Sequence, residues 1–595
     1  MKTIRFFFLT VLLIVVMGSM QAQQITLLHT NDMHSRITGD GPELDYSPLV
    51  TNNDEVLGGF SRLATLLKEE KAKNPDGTLI VDAGDFLMGT LFNTLEPETG
   101  FQLSLMKAMG YQYVTIGNHE FDYGPNKLAD VIDAAKENGG IPQIVASNLK
   151  PDPASPKDVK LAALFENQTI LPYKIISVKG VSIGIIGILG VDAADVAPMK
   201  APVQVEKQIK TARRLAKMLK KLKHVDLVVC LSHSGVYPDG KGGFYGEDVK
   251  LAKKAKFIDV IVSGHTHVVT PEPIQVGKVL IVQTGSYLHK LGRLDLEMKD
   301  GHMISHKFTL IPIDDKIAGD PDVDAKIEAY KKRIEKRFLS AVNLSWNQPL
   351  AETSFDMMKH NKRGYQHTSL GVFIDDAVKA YVDKKGGGTD VELLASGTVR
   401  DNILKGKSGV ITPPDVFRLM SLGWGNGDMP GYPLARIYIS GHELKNLMEV
   451  LLLSHSDDGY VFVSGAKVYY NPKKIMLRRV YKIEINGKPI DLDKRNMHLY
   501  SITADTYLLS FIGRVKKLSK GLVNVVPKDQ SGNPIKDMQK AIIDFDRQKP
   551  GVQGGAEWMG VVRYLQQLKD MNGNGIPDIP EKYHHEQSNR IPKKK

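Results

Sequence analysis

Five apolar, β-rich runs in the first half of the sequence end on the same kind of punctuation, a turn carrying Asp, Asn or His. Residues 25–29 lead into Asp32-Met33-His34, and residues 79–81 into Gly84-Asp85. Residues 113–116 lead into Gly117-Asn118-His119-Glu120, residues 225–231 into Ser232-His233, and residues 258–262 into Gly264-His265-Thr266-His267. Further β-rich runs at 144–146, 183–189 and 279–282 accompany them, with helix-period segments at 60–73, 125–138, 205–223 and 247–256 between. This alternation predicts an α/β domain with a largely parallel sheet interior, whose functional loops gather at the carboxyl ends of the strands.

Any one of these polar residues is an ordinary turn or cap residue. Together, Asp32, His34, Asp85, Asn118, His233, His265 and His267 form a carboxylate, amide and imidazole set suited to Zn, Mn or Fe, and the lack of Cys ligands argues against a structural zinc finger. They exceed what one tetrahedral ion takes and suffice for two if a carboxylate bridges. Paired ions are the usual clamp for phosphoester hydrolysis. An Asp in a tight turn suits the bridge, and Gly84-Asp85 supplies one.

The blocks D-x-H, G-D, G-N-H-E, H and G-H-x-H, in this order, resemble those of the calcineurin-like metallophosphoesterases. The phrase His29-Thr30-Asn31-Asp32-Met33-His34 and an appended second region look like the 5′-nucleotidase family, of the periplasmic 5′-nucleotidase/UDP-sugar hydrolase type. The resemblance implies an α/β protein with an N-terminal metallophosphoesterase sandwich and a C-terminal α/β substrate domain. It implies one metal on Asp32, His34, Asp85 and His267, and another on Asp85, Asn118, His233 and His265. A metal-bound hydroxide would attack phosphorus, while His119 stabilises the transition state or protonates the leaving oxygen and Asp122 orients it. Glu120 receives no role. His29, His224 and His289 fall outside the pattern and read as structural or surface residues; Asn31 either lines the site or bonds its own backbone.

The same resemblance assigns the substrate's handle to the second region. Arg363 and Arg400 are its expected cations, and Trp424, Tyr507 and Phe511 its expected rings, base stacking contributing about 1–3 kcal/mol. The family's N-G-G-G-I-R turn reads Ala395-Ser396-Gly397-Thr398-Val399-Arg400, keeping the arginine alone of the polar pair, and the later G-G-D-G-F segment is missing. The expected activity is a 5′-nucleotidase acting on nucleoside monophosphates or similar phosphomonoesters. A 2′,3′-cyclic-nucleotide phosphodiesterase or UDP-sugar pyrophosphatase is the alternative, and a non-catalytic exported binding protein the reading from another class.

Length and composition bound the rest. The 595 residues call for several cores. The boundaries read as a signal peptide at 1–22, a catalytic domain at 23–315, a helical linker at 316–348, a substrate domain at 349–565 and a tail at 566–595. Residues 1–22, a short positive start, an apolar core and small residues up to Ala22, predict export to a periplasmic or extracellular space. No later run is long enough to span a bilayer. The single Cys230 excludes internal disulfides and reads as a buried hydrophobe. A net charge of +11, its Lys and Arg scattered among acids, suits anionic small molecules and carries no nucleic-acid motif. In the tail, Asp570, Asn572, Asn574, Asp578 and Glu581 fall at the spacing of a Ca-binding loop.

Overall fold

The computed structural model describes residues 22–361, 368–425, 429–452, 460–512, 523–585 and 590–593. Residues 1–21, where a signal peptide is expected, and Arg363 lie outside the described residues.

The N-terminal half folds as two facing sheets. The chain first lays down β1 (Gln23–Thr30), β2 (Thr78–Asp82), β3 (Tyr113–Val114), β4 (Gln143–Val145) and β5 (Ile170–Leu171). It crosses to β6 (Lys174–Val178), β7 (Val181–Leu189), β8 (Leu227–His233), β9 (Val260–Ser263), β10 (Ile274–Val276) and β11 (Val279–Val282), then returns through the hairpin β12 (Lys290–Lys299) and β13 (His302–Pro312). The sheet orders are β13-β12-β1-β2-β3-β4-β5 and β10-β11-β9-β8-β7-β6. β1 to β5 pair in parallel, as do β7, β8, β9 and β11, with antiparallel strands at the edges.

Packing explains the layers. Alternate residues of β1, β2, β8 and β9, including Leu27, Val81, Val229, Leu231 and Val262, meet between the sheets. The opposite residues of β8 and β9, Val228, Cys230 and Ile261, meet Leu215, Leu219 and Leu251 of helices Gln208–Leu222 and Glu247–Lys254. Cys230 is thus a core residue. The β12–β13 hairpin is absent from the sequence expectation. Leu294, Leu296 and Met298 point inward while Arg293, Asp295 and Glu297 intervene, a period-two pattern with no continuous apolar run.

Helix Pro321–Arg337 begins at Asp320, whose side chain accepts from the N–H groups of Asp322 and Val323. It buries Val323, Ile327, Tyr330 and Ile334, and Tyr330 stacks on Phe101 with centroids 3.9 Å apart. The helix between the two halves is therefore docked on the first.

The second half has a sheet of β14 (Val391–Ala395), β15 (Leu434–Ser440), β16 (Val461–Ser464) and β17 (Leu499–Asp505), ordered β15-β17-β14-β16. Helices Ser369–Lys385 and Glu557–Leu565 pack together beside it, and Ser440 with Glu443 forms a capping box that starts helix Gly441–Leu451. The halves meet through a buried charge network. Arg36 bonds Asp401 at 2.7 Å, and Arg418 reaches both Asp401 at 3.0 Å and Asp415 at 2.6 Å.

Candidate metal centre

The parallel strands of both sheets deliver their carboxyl ends to one rim. Asp32 and His34 follow β1, Asp85 follows β2, and Asn118 and His119 follow β3; His233 closes β8, and His265 and His267 follow β9. Donor atoms converge there in three overlapping groups: Asp32, His34 and His267; His34, Asp85 and His119; and Asp85, His233 and His265. Asp85 lies in two of them.

The Nε2 atoms of His34 and His267 are 3.0 Å apart, with Asp32 Oδ1 at 3.5 Å from the latter and Asp85 Oδ2 at 3.9 Å from the former. On the other side, His233 Nε2 is 3.0 Å from Asp85 Oδ2 and 3.1 Å from Asn118 Oδ1. Second partners fix the tautomers. His34 Nδ1 faces the Met88 carbonyl at 3.2 Å and His233 Nδ1 the Ala83 carbonyl at 2.9 Å, so each ring donates there and presents Nε2 to the cluster. This nitrogen and oxygen set, with one shared carboxylate, fits a pair of divalent ions.

Electrostatics point the same way. Burial holds the His34 and His267 pKa values well below the usual imidazole range, in the neutral form a ligand needs. Burial also pushes Asp32 up to about 6. At Asp85 burial is outweighed by His233, His119 and His34, which hold the carboxyl well below its ordinary range. His233 rises to about 10 because Asp85 outweighs burial, and a divalent ion between the two would take the proton's place.

The backbone is bent to make this possible. Asp32, His34, Asp85, His265 and His267 all have positive φ, between 47° and 80°. Non-glycine residues in that region each cost roughly 1 kcal/mol or more, so the surroundings must hold them. Asp32 N–H donates to the Gly84 carbonyl at 3.0 Å and His34 N–H to the Asp85 carbonyl at 3.0 Å. His265 N–H donates to the Asp32 carboxylate at 2.9 Å. Gly117 is required by close approach, since a Cβ there would stand 2.2 Å from Asp85 Oδ1.

His119 Nδ1 is 2.7 Å from Asp122 Oδ2, and its N–H donates to Asp85 Oδ1 at 2.9 Å. Burial would lower the ring's pKa, but Asp122 and Asp85 outweigh it and raise it.

Glu120 and Asp192, which had no expected role, and Asn31, whose role was left open between two readings, turn out to hold this centre. Glu120, 2% exposed, accepts the N–H groups of Asp85 at 3.0 Å, Leu87 at 3.0 Å and Gly117 at 2.6 Å, clasping two ligand loops with one carboxylate. Asn31 donates to Asp32 Oδ2 at 2.6 Å and accepts from Thr284 N–H at 2.9 Å, so it orients a ligand and does not bond its own backbone. Asp192 meets His265 Nε2 at 3.1 Å. It is placed there by its own neighbours: Gly190 N–H donates to the His233 carbonyl at 2.8 Å and Val191 N–H to Glu247 at 2.8 Å. Nothing local in the sequence marks Asp192 or shows what Glu120 holds.

The second half faces the centre through Arg400, whose charge is felt by His34, His119 and His267. Its carbonyl accepts from Lys359 Nζ at 2.7 Å and from the Tyr287 hydroxyl at 3.2 Å. Tyr287 in turn sets its ring edge-on to His34 and His267, at 5.6 and 5.5 Å between centroids. Trp424 packs edge-on to Tyr123 at 4.5 Å with the Lys127 ammonium 4.4 Å over its ring. Tyr507 stacks on Tyr432 at 5.3 Å and meets Phe511 edge-on at 4.8 Å. Tyr432, overlooked in the sequence, lies within the field of Asp122 and Arg400.

In the tail, Asp570 accepts Gly573 N–H at 2.6 Å and Gly575 N–H at 2.8 Å. The Asn572 and Asn574 amides turn to Glu352, the latter at 2.9 Å, and Glu352 N–H donates to the Pro577 carbonyl at 2.7 Å. Asp578 accepts Met571 N–H at 2.6 Å, while the Glu581 carboxylate pairs with His584 at 2.7 Å. A glutamate from a distant strand therefore stands at the loop where the spacing had suggested Glu581.

Comparison with known proteins matches residues 25–269 to the model of the calcineurin-like phosphoesterase and residues 349–511 to that of the 5′-nucleotidase C-terminal domain. With the rim of Asp, Asn and His already described, the first match defines the class, a calcineurin-like metallophosphoesterase and hence a metal-dependent phosphoester hydrolase. The two domains in tandem narrow it: the chain belongs to the 5′-nucleotidase family. Among relatives, an apyrase of Aedes albopictus is 28% identical over 81% of this chain and 83% of its own length. The 5′-nucleotidase of Bos taurus is 24% identical over 82% and 83%. Among solved structures, a 5′-nucleotidase precursor from Thermus thermophilus superposes with a TM-score of 0.67 at 21% identity, covering 96% of this chain and 99% of that one. The sulfate thiohydrolase SoxB of the same species, in complex with glycerol, does so at 0.62 and 18%, covering 96% of each. At such identities the superpositions establish the fold alone.

Proposed function

We propose that the protein is an exported 5′-nucleotidase, releasing phosphate from nucleoside monophosphates or similar phosphomonoesters. The observation that carries this reading is the placing of Asp85, which groups with His233 and His265 on one side and lies 3.9 Å from His34 of the Asp32, His34 and His267 group on the other, with the His119–Asp122 pair 2.7 Å apart next to it. Asp32, His34, Asp85 and His267 would hold one divalent ion, and Asp85, Asn118, His233 and His265 the other. Bound there, Zn, Mn or Fe ions supply Lewis acidity toward the phosphoryl oxygens and a nucleophile from water at neutral pH.

The chain's own groups do the rest. His119, whose pKa Asp122 and Asp85 raise against burial, donates its proton to the leaving oxygen. Arg400 brings positive charge to the same rim and would attract the phosphate from the side of the second domain. Trp424 and the Tyr432–Tyr507–Phe511 group supply apolar and aromatic surface for a nucleoside. Export rests on the pattern of residues 1–22, and no helix of the described residues is long and apolar enough to cross a membrane.

The test is phosphate release from AMP, UDP-glucose and 2′,3′-cyclic AMP by protein of measured metal content, with added Mn or Zn. AMP is expected to be turned over fastest. A preference for UDP-glucose or the cyclic nucleotide would replace the reading with a pyrophosphatase or phosphodiesterase, and no metal-dependent release from any of them would defeat it.

A further inference from the structure

Residues 207–223 hold eight Lys or Arg and no acidic residue, so the scatter that describes the whole chain fails for this segment. They form helix Gln208–Leu222 and its flanks. Thr211, Ala212, Leu215, Ala216 and Leu219 are buried on the outer side of the second sheet. The outward stripe is Lys210, Arg213, Arg214, Lys217 and Lys221, at helical spacings that keep them on one face. The neighbouring helix Glu247–Lys254 packs into the same core and turns Lys250, Lys253 and Lys254 outward. Lys221 Nζ lies 5.7 Å from the ring of Phe257, next to exposed Lys256, which joins the two stripes. The acids nearby are committed elsewhere. Asp248 is buried among Ser232 and Ser263, Glu247 caps Val191, Asp259 pairs with Lys220 at 2.7 Å, and Glu206, exposed just before the first helix, accepts from the Thr211 hydroxyl at 3.1 Å.

We propose that this two-helix basic face adsorbs the protein to an anionic lipid bilayer. A run of charge is ordinarily just a solvated face. Here, however, two adjoining helices present cations with no interleaved exposed acid, and Leu222, 71% exposed, projects at the end of the first. Charge of this kind attracts anionic headgroups additively, residue by residue. A nucleic acid fits less well, because the stripes are mostly Lys, a point charge, where phosphate forks favour Arg, and the ring between them, Phe257, is half-buried beside Lys221. The face covers the flat of the second sheet and not the rim that carries the metal centre, so adsorption leaves the rim open.

Co-sedimentation of the full chain with vesicles of phosphatidylglycerol, against vesicles of phosphatidylcholine, tests this. Binding is expected to the anionic vesicles alone and to fall away toward about 1 M salt, where the screening length is about 3 Å. The combined change Lys210→Glu, Arg213→Glu, Arg214→Glu and Lys217→Glu should weaken it at least about a hundredfold. Its circular dichroism and hydrolysis of a soluble phosphoester should be unchanged, since none of the four touches the rim. If that variant does not fold, Lys250→Gln with Lys253→Gln and Lys254→Gln should still weaken binding about tenfold or more. Protein left in the supernatant with phosphatidylglycerol, equal binding to both vesicles, reversals without effect, or tighter binding to a single-stranded oligonucleotide would each overturn the proposal.

Discussion

The metal rim and the aromatic surface of the second domain adjoin where Trp424 packs on Tyr123, and they are built on opposite plans. At the rim four of the ligands are pinned by groups around them: His34 and His233 by backbone carbonyls, Asp32 by Asn31 and the His265 backbone N–H, Asp85 by the His119 backbone N–H, with its own N–H held by Glu120. On the aromatic side ring packs on ring, Trp424 against Tyr123 and Tyr507 against Tyr432 and Phe511. Fixed polar geometry dictates a reaction; adaptable apolar contact tolerates several ligands. The difference is why the chemistry can be read with so much less freedom than the substrate.

The largest effect that would break this contrast is on turnover. His119→Ala is expected to lower kcat about 10²–10⁴-fold while the metal content, measured by elemental analysis, stays the same. A loss of bound metal instead would make His119 a ligand and redraw the rim. Next comes the clasp. Glu120→Ala leaves three buried N–H groups unsatisfied at about 1–3 kcal/mol each before relaxation, so chemical denaturation should show the metal-free protein destabilised by at least about 2 kcal/mol.

A smaller effect separates the two ions. Asp192→Ala removes the partner of His265 Nε2 and should weaken one of two metal-binding steps about 10–100-fold in a titration, leaving the other alone. Equal affinities in the variant and the parent would show that the exposed carboxylate does not orient the ring. The smallest change is expected on the aromatic side. Trp424→Ala should raise KM for AMP about fivefold, the lower end for a stacking ring, because one face already carries Lys127. Hydrolysis of p-nitrophenyl phosphate should be untouched; an equal loss on both substrates would mean that the ring supports the fold.

The same contrast governs how much was legible in the sequence. Asp32, His34, Asp85, Asn118, His233, His265 and His267 could be found because each sits at the end of an apolar run or in the turn after it, a strictly local signal. Glu120 stood in plain view inside Gly117-Asn118-His119-Glu120, yet two of its three partners lie on a loop more than thirty residues away. Asp192, Glu352 and Tyr432 are likewise defined by neighbours distant in the chain, which no spacing records. The β12–β13 hairpin escaped because alternating polar and apolar residues make no run, and the basic helix face because the whole-chain average of charge hid it.

One feature of the rim reaches beyond catalysis. Asp32, His34, Asp85 and His265 hold their left-handed backbones through hydrogen bonds to neighbouring loops and to one another. A chelator should therefore empty a finished socket without melting it. Reloading then has no loop to wait for, and its speed is set by how fast an arriving ion sheds its own water.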